Sequence, residues 1–316
     1  MRAVVLGLAL LGAGRPVGAS EPGAPRPPII DVHLHAQELW APPGEDAGKT
    51  FGPVFAEQTT GILAARNTAE LEQATLDAMD RLNIVKAIVS GGLAEEYRKA
   101  RPDRILASPL LPGDDEPVAS LRAAFKANRY QALAEFAPQY AGLAPNDPKL
   151  EPYFALAEEL DVPLGLHVGL APPGAAYSGS PNYRMAHSSA LLLEEVLIRH
   201  PKLRLYVMHA GWPLLDDMVA LLYAHPQVYV DVGVIDWFVP RAEFYSYLRR
   251  LVEAGFSKRI LFGSDQMAWP DAIGRAVTTV ESAPFLSAEQ KRDIMCLNAT
   301  RFLRLDASRC DETSPR

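Results

Sequence analysis

From residue 28 onward, short apolar runs rich in β-branched residues alternate with segments of helical periodicity. This alternation constrains the fold more than any other feature of the chain. The strand-like runs lie at 28–35, 84–90, 104–108, 131–136, 163–168, 203–209, 227–232 and 259–264. Helical spacing predicts helices at 69–81, 117–128, 151–160, 189–199, 214–224, 241–254 and 288–303. Ser287 opens S-A-E-Q, a capping box that fixes the start of the last helix, and Asn67 with Glu70 gives a similar, weaker start. Strands joined through helices run parallel, since a parallel pair needs a long crossover. Eight such units predict an α/β fold, a closed (β/α)8 TIM barrel, with an open doubly wound sheet as the alternative. No G-x-G-x-x-G turn or Walker loop follows any of the runs, which favours the barrel.

The chain is long enough for one large core, with 316 residues of which 48% are hydrophobic. A formal charge of −7 without any Lys/Arg cluster excludes a nucleic-acid partner. At the start, Arg2 precedes an apolar run, Ala3 to Leu11, and Val17-Gly18-Ala19 fits a small-x-small cleavage site. This pattern predicts a signal peptide over 1–19, Arg15 being its one discordant residue, and hence a periplasmic or secreted protein. Residues 20–27, rich in Pro, Gly and Ala, then form a flexible lead-in, 28–306 the catalytic barrel, and 307–316 a C-terminal tail. No other stretch is apolar enough to cross a bilayer, so no membrane contact is expected of the mature form. A homo-oligomer is compatible with this reading. Cys296 lies on an apolar helical face and is expected to be a buried free thiol, although it and Cys310 can pair in an exported protein.

The ends of the strands carry the chemistry. In D-V-H-L-H, residues 31–35, strand alternation puts Asp31, His33 and His35 on one face. His167 falls near the end of the fifth run in L-G-L-H-V-G, His209 ends the sixth in Y-V-M-H-A-G-W-P, and Asp265 ends the eighth in I-L-F-G-S-D. A polar group at one matching end of four apolar strands predicts a shared site at the barrel mouth. Imidazole nitrogens with a carboxylate suit a divalent ion, zinc first and manganese as the alternative. His209, with an ordinary pKa of ~6.5, is suited to moving protons. Two connections, 37–66 and 169–188, are long and expected to wall the pocket.

These motifs, together with the closing N-A-T-R-F-L, resemble the signature strands of the metal-dependent amidohydrolase superfamily. The nearest branch is the amidohydrolase-related group that includes aminocarboxymuconate semialdehyde decarboxylase and resorcylate decarboxylases. The resemblance covers about Ile29 to Leu305 and implies a TIM-barrel metal enzyme. It maps metal ligands onto His33, His35, His167 and Asp265, and an acid or base onto His209. Asp265 is also implied as acceptor of a proton from attacking water in hydrolytic members. Relatives with two metals bridge them with a strand-four Lys or Glu; here that strand carries Glu135, so Glu135 either holds a second metal or pairs with a buried cation. One metal is the preferred expectation.

The remaining polar residues are less decisive. Asp31 can orient a ligand histidine or make a buried ion pair at the barrel floor. Arg184 is the expected carboxylate clamp, and Trp212 and Trp237 the expected pocket walls. His187, His200 and His225 read as structural. Three functions remain: hydrolysis of an amide, ester or lactone by metal-activated water, which is preferred; non-oxidative decarboxylation of a small carboxylic acid; and a non-catalytic metal-binding barrel.

Overall fold

The computed structural model describes residues 26–39, 53–111, 113–114, 116–177 and 179–311. The expected signal peptide, most of the lead-in, part of the first long connection and the end of the tail lie outside them. Among the described residues no helix is long and apolar enough to cross a membrane.

All eight expected strands form: β1 (Ile29–His35), β2 (Ile84–Ser90), β3 (Ile105–Ser108), β4 (Leu133–Phe136), β5 (Leu164–His167), β6 (Leu205–Met208), β7 (Tyr229–Asp231) and β8 (Ile260–Leu261). Helices follow in alternation: α1 (Pro53–Thr60), α2 (Thr68–Arg81), α3 (Ala94–Ala100), α4 (Val118–Lys126), α5 (Glu151–Glu159), α6 (Glu194–Arg199), α7 (Leu215–Ala224), α8 (Arg241–Leu251), α9 (Asp271–Glu281), α10 (Ala288–Arg292) and α11 (Asn298–Leu303). Every ladder is parallel, in the orders β1-β2-β3 and β4-β5-β6-β7-β8.

Two seams close these arcs into a (β/α)8 barrel. Between β3 and β4, Gln131 donates its N–H to the Ala107 carbonyl at 2.8 Å, and Leu111 donates to the Glu135 carbonyl at 3.0 Å. Between β8 and β1, Val32 donates to the Phe262 carbonyl at 3.0 Å and Asp265 to the His33 carbonyl at 2.6 Å. Side chains complete this second seam. Asp31 Oδ1 accepts the Ser264 and His33 N–H groups, both at 3.0 Å. Gln266 grips the His35 peptide from both sides, accepting its N–H at 2.9 Å and donating to its carbonyl at 2.7 Å. Asp31 therefore neither orients an imidazole nor pairs with a cation. It replaces a missing backbone acceptor, and burial raises its carboxyl to about 7 despite the bonds from Ser264 and His33.

The pairing register of β1 with β2 shifts between Asp31 and Leu34. Ile30 and Val32 pack with Ala132, Ala134, Tyr206, Met208 and Leu261, a set only the barrel interior can assemble. The shift then turns His33 and His35 inward above them, as bulges re-aim side chains next to sites. Strict alternation, which set Val32 opposite His33, fails here. The Phe302 ring of α11, 5.4 Å from that of Tyr206, closes the floor.

The last helix is not continuous as expected. α10 has its capping box, Ser287 with Gln290. A wider π turn over Asp293–Leu297 then precedes α11. The Ile294 carbonyl in that turn accepts the Phe262 N–H at 3.0 Å, tying the C-terminal helices to β8. The chain turns back after α11, with Arg304 at φ 56°, and a short helical turn brings Cys310 against Cys296. They form a disulfide with Cα atoms 5.9 Å apart, so the expected free thiol is corrected: the chain reversal, not local periodicity, decides. Closing a 14-residue separation stabilises by about 3 kcal/mol in the chain-entropy model. The Cys296→Ser/Cys310→Ser double variant is expected to melt several degrees lower in calorimetry; an unchanged midpoint would deny the bond any such role.

Candidate active site

The strand tips converge as the sequence predicts. His33 and His35 from β1, Glu135 from β4, His167 from β5, His209 just beyond β6 and Asp265 beyond β8 meet at one end of the barrel. All six are buried, at 1–7% exposure. Three overlapping donor sets lie within metal-ligand reach: His33, His209 and Asp265; His33, His35 and Glu135; and Glu135, His167 and His209.

Each imidazole has one nitrogen fixed from behind, which decides where its lone pair points. His33 Nδ1–H donates to Asp231 Oδ2 at 3.0 Å. His35 Nδ1 lies 3.1 Å from Ser90 Oγ, whose own hydroxyl reaches the Leu34 carbonyl at 3.4 Å. His209 Nδ1–H donates to the Gly233 carbonyl at 2.9 Å. His167 is reversed: its Nε2–H donates to the Leu170 carbonyl at 2.8 Å, leaving Nδ1 inward. Four lone pairs thus face one another across Glu135 and Asp265.

The carboxylates divide these nitrogens. Asp265 Oδ1 is 2.9 Å from His35 Nε2 and 3.6 Å from His33 Nε2. Glu135 Oε2 lies 3.4 Å from His35 Nε2 and 3.8 Å from His33 Nε2. On its other side, Glu135 Oε1 contacts His167 Nδ1 and lies 3.9 Å from His209 Nε2. His209 Nε2 and His167 Nδ1 are 3.1 Å apart. Among the described residues no Arg or Lys makes an ion pair with Glu135, the other expectation for it.

Burial pushes His33 towards the neutral form, but Asp265 and Asp231 outweigh it and raise its pKa well above the ordinary value. Burial likewise favours neutral carboxyls, yet His167 and its neighbours hold Glu135 well below the usual range, and His33 with His35 holds Asp265 at about 2. The atoms fit a cation: His33 Nε2, His35 Nε2 and Asp265 Oδ1 are buried without a hydrogen-bond partner among the described residues. Buried polar atoms left in that state are costly unless something else engages them.

The backbone is held in uncommon conformations here. His209 and Asp265 have φ of 56° and 49°, the left-handed region. Gly263, in the G-S-D motif, leaves room for His33, whose Cβ would lie 2.8 Å from a Cβ at that position.

Asp231 is the main residue that sequence reasoning missed. Its Oδ1 accepts the His209 and Gly233 N–H groups, each at 2.9 Å, while Oδ2 holds His33. A charged residue in the apolar run Y-V-D-V was a usable signal. Tyr140 was also missed: its ring lies 4.9 Å from that of His167 and 5.8 Å from that of Tyr183, on a turn directly after β4. The expected substrate-binding residues have other contacts. Arg184 is exposed and donates to the carbonyls of Pro181 and Tyr183 in its own loop. Trp212 directs its indole N–H to Glu243 on α8, at 3.3 Å. Trp237 is buried and donates to the Ser264 carbonyl at 2.7 Å.

A family model described as amidohydrolase matches residues 30–305. The chain belongs to this amidohydrolase family. It superimposes on solved structures of the same fold at low identity. One is an uncharacterized TIM-barrel protein from Bordetella bronchiseptica, at 16% identity, TM-score 0.66, covering 88% of this chain and 98% of that one. A second is 5-carboxyvanillate decarboxylase from Sphingomonas paucimobilis, at 16% identity, TM-score 0.58, covering 88% and 99%. A third is a probable 2-pyrone-4,6-dicarboxylic acid hydrolase from Acinetobacter baumannii, at 14% identity, TM-score 0.59, covering 88% and 99%. Among curated proteins, the amidohydrolase is 26% identical over 111 residues to Protein fluG of Emericella nidulans, a stretch that is 35% of this chain and 12% of that protein. Membership of the family implies an enzyme with a divalent metal, and the donor set is able to hold one.

Proposed function

We propose that this amidohydrolase is a two-ion hydrolase cleaving an amide, ester or lactone bond of a small molecule. The observation that carries the reading is Glu135, whose two oxygens face different donor sets, His33 and His35 on one side and His167 and His209 on the other. This departs from the single-ion expectation. A pair of ions, zinc or manganese, would supply an acidified water and polarise the scissile carbonyl. On this reading His209 is a ligand rather than the mobile acid. Asp265 then takes the proton role, with Oδ1 towards His35 and Oδ2 on the His209 side, 3.9 Å from Nδ1.

Decarboxylation is the second reading, favoured by several decarboxylases among the fold relatives. Export supports hydrolysis as a scavenging activity; it rests on the N-terminal pattern and on the buried disulfide, a bond that persists in oxidising compartments.

Elemental analysis and a substrate panel test these readings together. The expected result is about two divalent ions per chain, with acid released from acyl substrates and no CO2. Stoichiometric CO2 would replace the hydrolase by the decarboxylase. Metal that raises the melting temperature without any turnover would leave a binding barrel.

A further inference from the structure

The four histidines are not held alike. The partners behind His33, His35 and His209 are Asp231 and Ser90, which lie within strands, and Gly233, two residues beyond β7. His167 alone depends on a long loop, through the Leu170 carbonyl. What fixes that carbonyl fixes which nitrogen of His167 faces inward.

The next peptide back is anchored with unusual density. The Gly169 carbonyl accepts the Tyr183 hydroxyl at 2.6 Å and the Ser188 hydroxyl at 2.8 Å. Gln139, on the turn after β4, donates to Ser188 Oγ at 2.8 Å and reaches the same carbonyl at 3.4 Å. Tyr183, Ser188 and Gln139 are buried. Gly169 itself has φ of 111°, and a Cβ there would sit 2.5 Å from the Trp212 carbonyl oxygen, so the peptide is pressed against the β6 loop as well. Peptide planes are rigid, so holding the Gly169 carbonyl leaves only the Leu170 dihedrals to aim the next one. The far end of the 169–188 connection thereby sets the orientation of a ligand on β5.

We propose that Tyr183 and Ser188 are positioning residues for His167, acting through the Gly169 and Leu170 carbonyls to keep its Nδ1 directed at Glu135. The inference rests on the reading of His167 as a metal ligand. It gives the long fifth connection a defined role, because its hydrogen bonds to the Gly169 carbonyl support the ion site on the His167 side. Tyr183 also packs against Tyr140, whose ring neighbours that of His167, so the same residue serves the wall beside that ligand.

The test measures zinc and cobalt(II) affinities by chelator competition in the full chain, with the cobalt d–d absorption as a second readout. Tyr183→Phe keeps the ring and removes only the hydroxyl; Ser188→Ala removes the other donor; His167→Ala calibrates the loss of the ligand itself. Either donor variant is expected to weaken, about 10–100-fold, the ion that His167→Ala loses, and to alter its cobalt spectrum. The ion on the His33 and His35 side should keep its affinity. Parent-like affinities in both donor variants, or equal weakening of every ion, would overturn the inference and leave a merely structural loop. If His167→Ala itself retains all metal, the ligand reading fails and this inference with it. A loss confined to His167→Ala refutes the positioning role alone.

Discussion

Asp231→Asn is expected to yield a folded barrel that has lost most of its metal affinity. The carboxylate does two jobs with separate oxygens. Oδ1 serves the backbone N–H groups of His209 and Gly233, and Oδ2 receives Nδ1–H of His33. Asparagine keeps one oxygen, enough for the two backbone donors, but puts an NH2 where His33 needs an acceptor. Donor then faces donor. The imidazole relieves this by moving its proton to Nε2, the atom 3.6 Å from Asp265 Oδ1 and 3.8 Å from Glu135 Oε2. A protonated Nε2 has no lone pair for an ion. Losing such a backing partner weakens metal binding by about 10–100-fold, read by chelator competition. Asp231→Ala should behave differently. It strands two buried N–H groups, at about 1–3 kcal/mol each, and should lower the melting temperature as well. If the Asn variant binds metal as tightly as the parent, His33 does not ligate through Nε2.

The contrast between Asp231 and the five strand-tip residues shows what a sequence makes visible. His33, His35, His167, His209 and Asp265 each lie at or near the end of an apolar run, and that local contrast is enough to place them at the barrel mouth. Asp231 has nearly the same local signature, but its role depends on β6, its ladder partner, and on β1, two strands away through β8, which bring His209 and His33 to it. Glu135 was visible as a charge in an apolar strand; its bridging position needed the geometry of four histidines. Arg184 stands out for its chemistry, but the loop conformation sends its guanidinium to nearby carbonyls instead. Helix α9 was not anticipated, because Gly274 and a Thr-Thr pair weaken its intrinsic preference. Its buried face, Ala272, Ile273, Ala276, Val277 and Val280, carries it through packing. The disulfide and the irregularity in β1 share a cause: both follow from contacts between segments far apart in sequence, which periodicity cannot report.

The largest effect on turnover is expected at Glu135. Glu135→Gln preserves size and removes the one charge common to both donor sets. His33 and His35 keep Asp265 as an anionic neighbour, 2.9 Å from His35 Nε2, and should retain their ion. His167 and His209 are left as two neutral nitrogens beside an amide, and the amide N–H2 competes for one of their lone pairs. Two imidazoles without a carboxylate are a poor site for a hard or borderline cation. The expected outcome is a fall from two ions to one in elemental analysis. Transition-state stabilisation by a second ion is on the order of several kcal/mol, so turnover should fall roughly 10²–10³-fold. Glu135→Asp separates charge from reach: it keeps the carboxylate but shortens the arm by one methylene. Because Oε1 and Oε2 must serve opposite sides at once, the shorter residue should hold one set and lose the other, giving an ion count like that of Gln. A Glu135→Gln protein that keeps two ions would remove Glu135 as the bridge. The single-ion expectation would then return, with His209 again free to move protons.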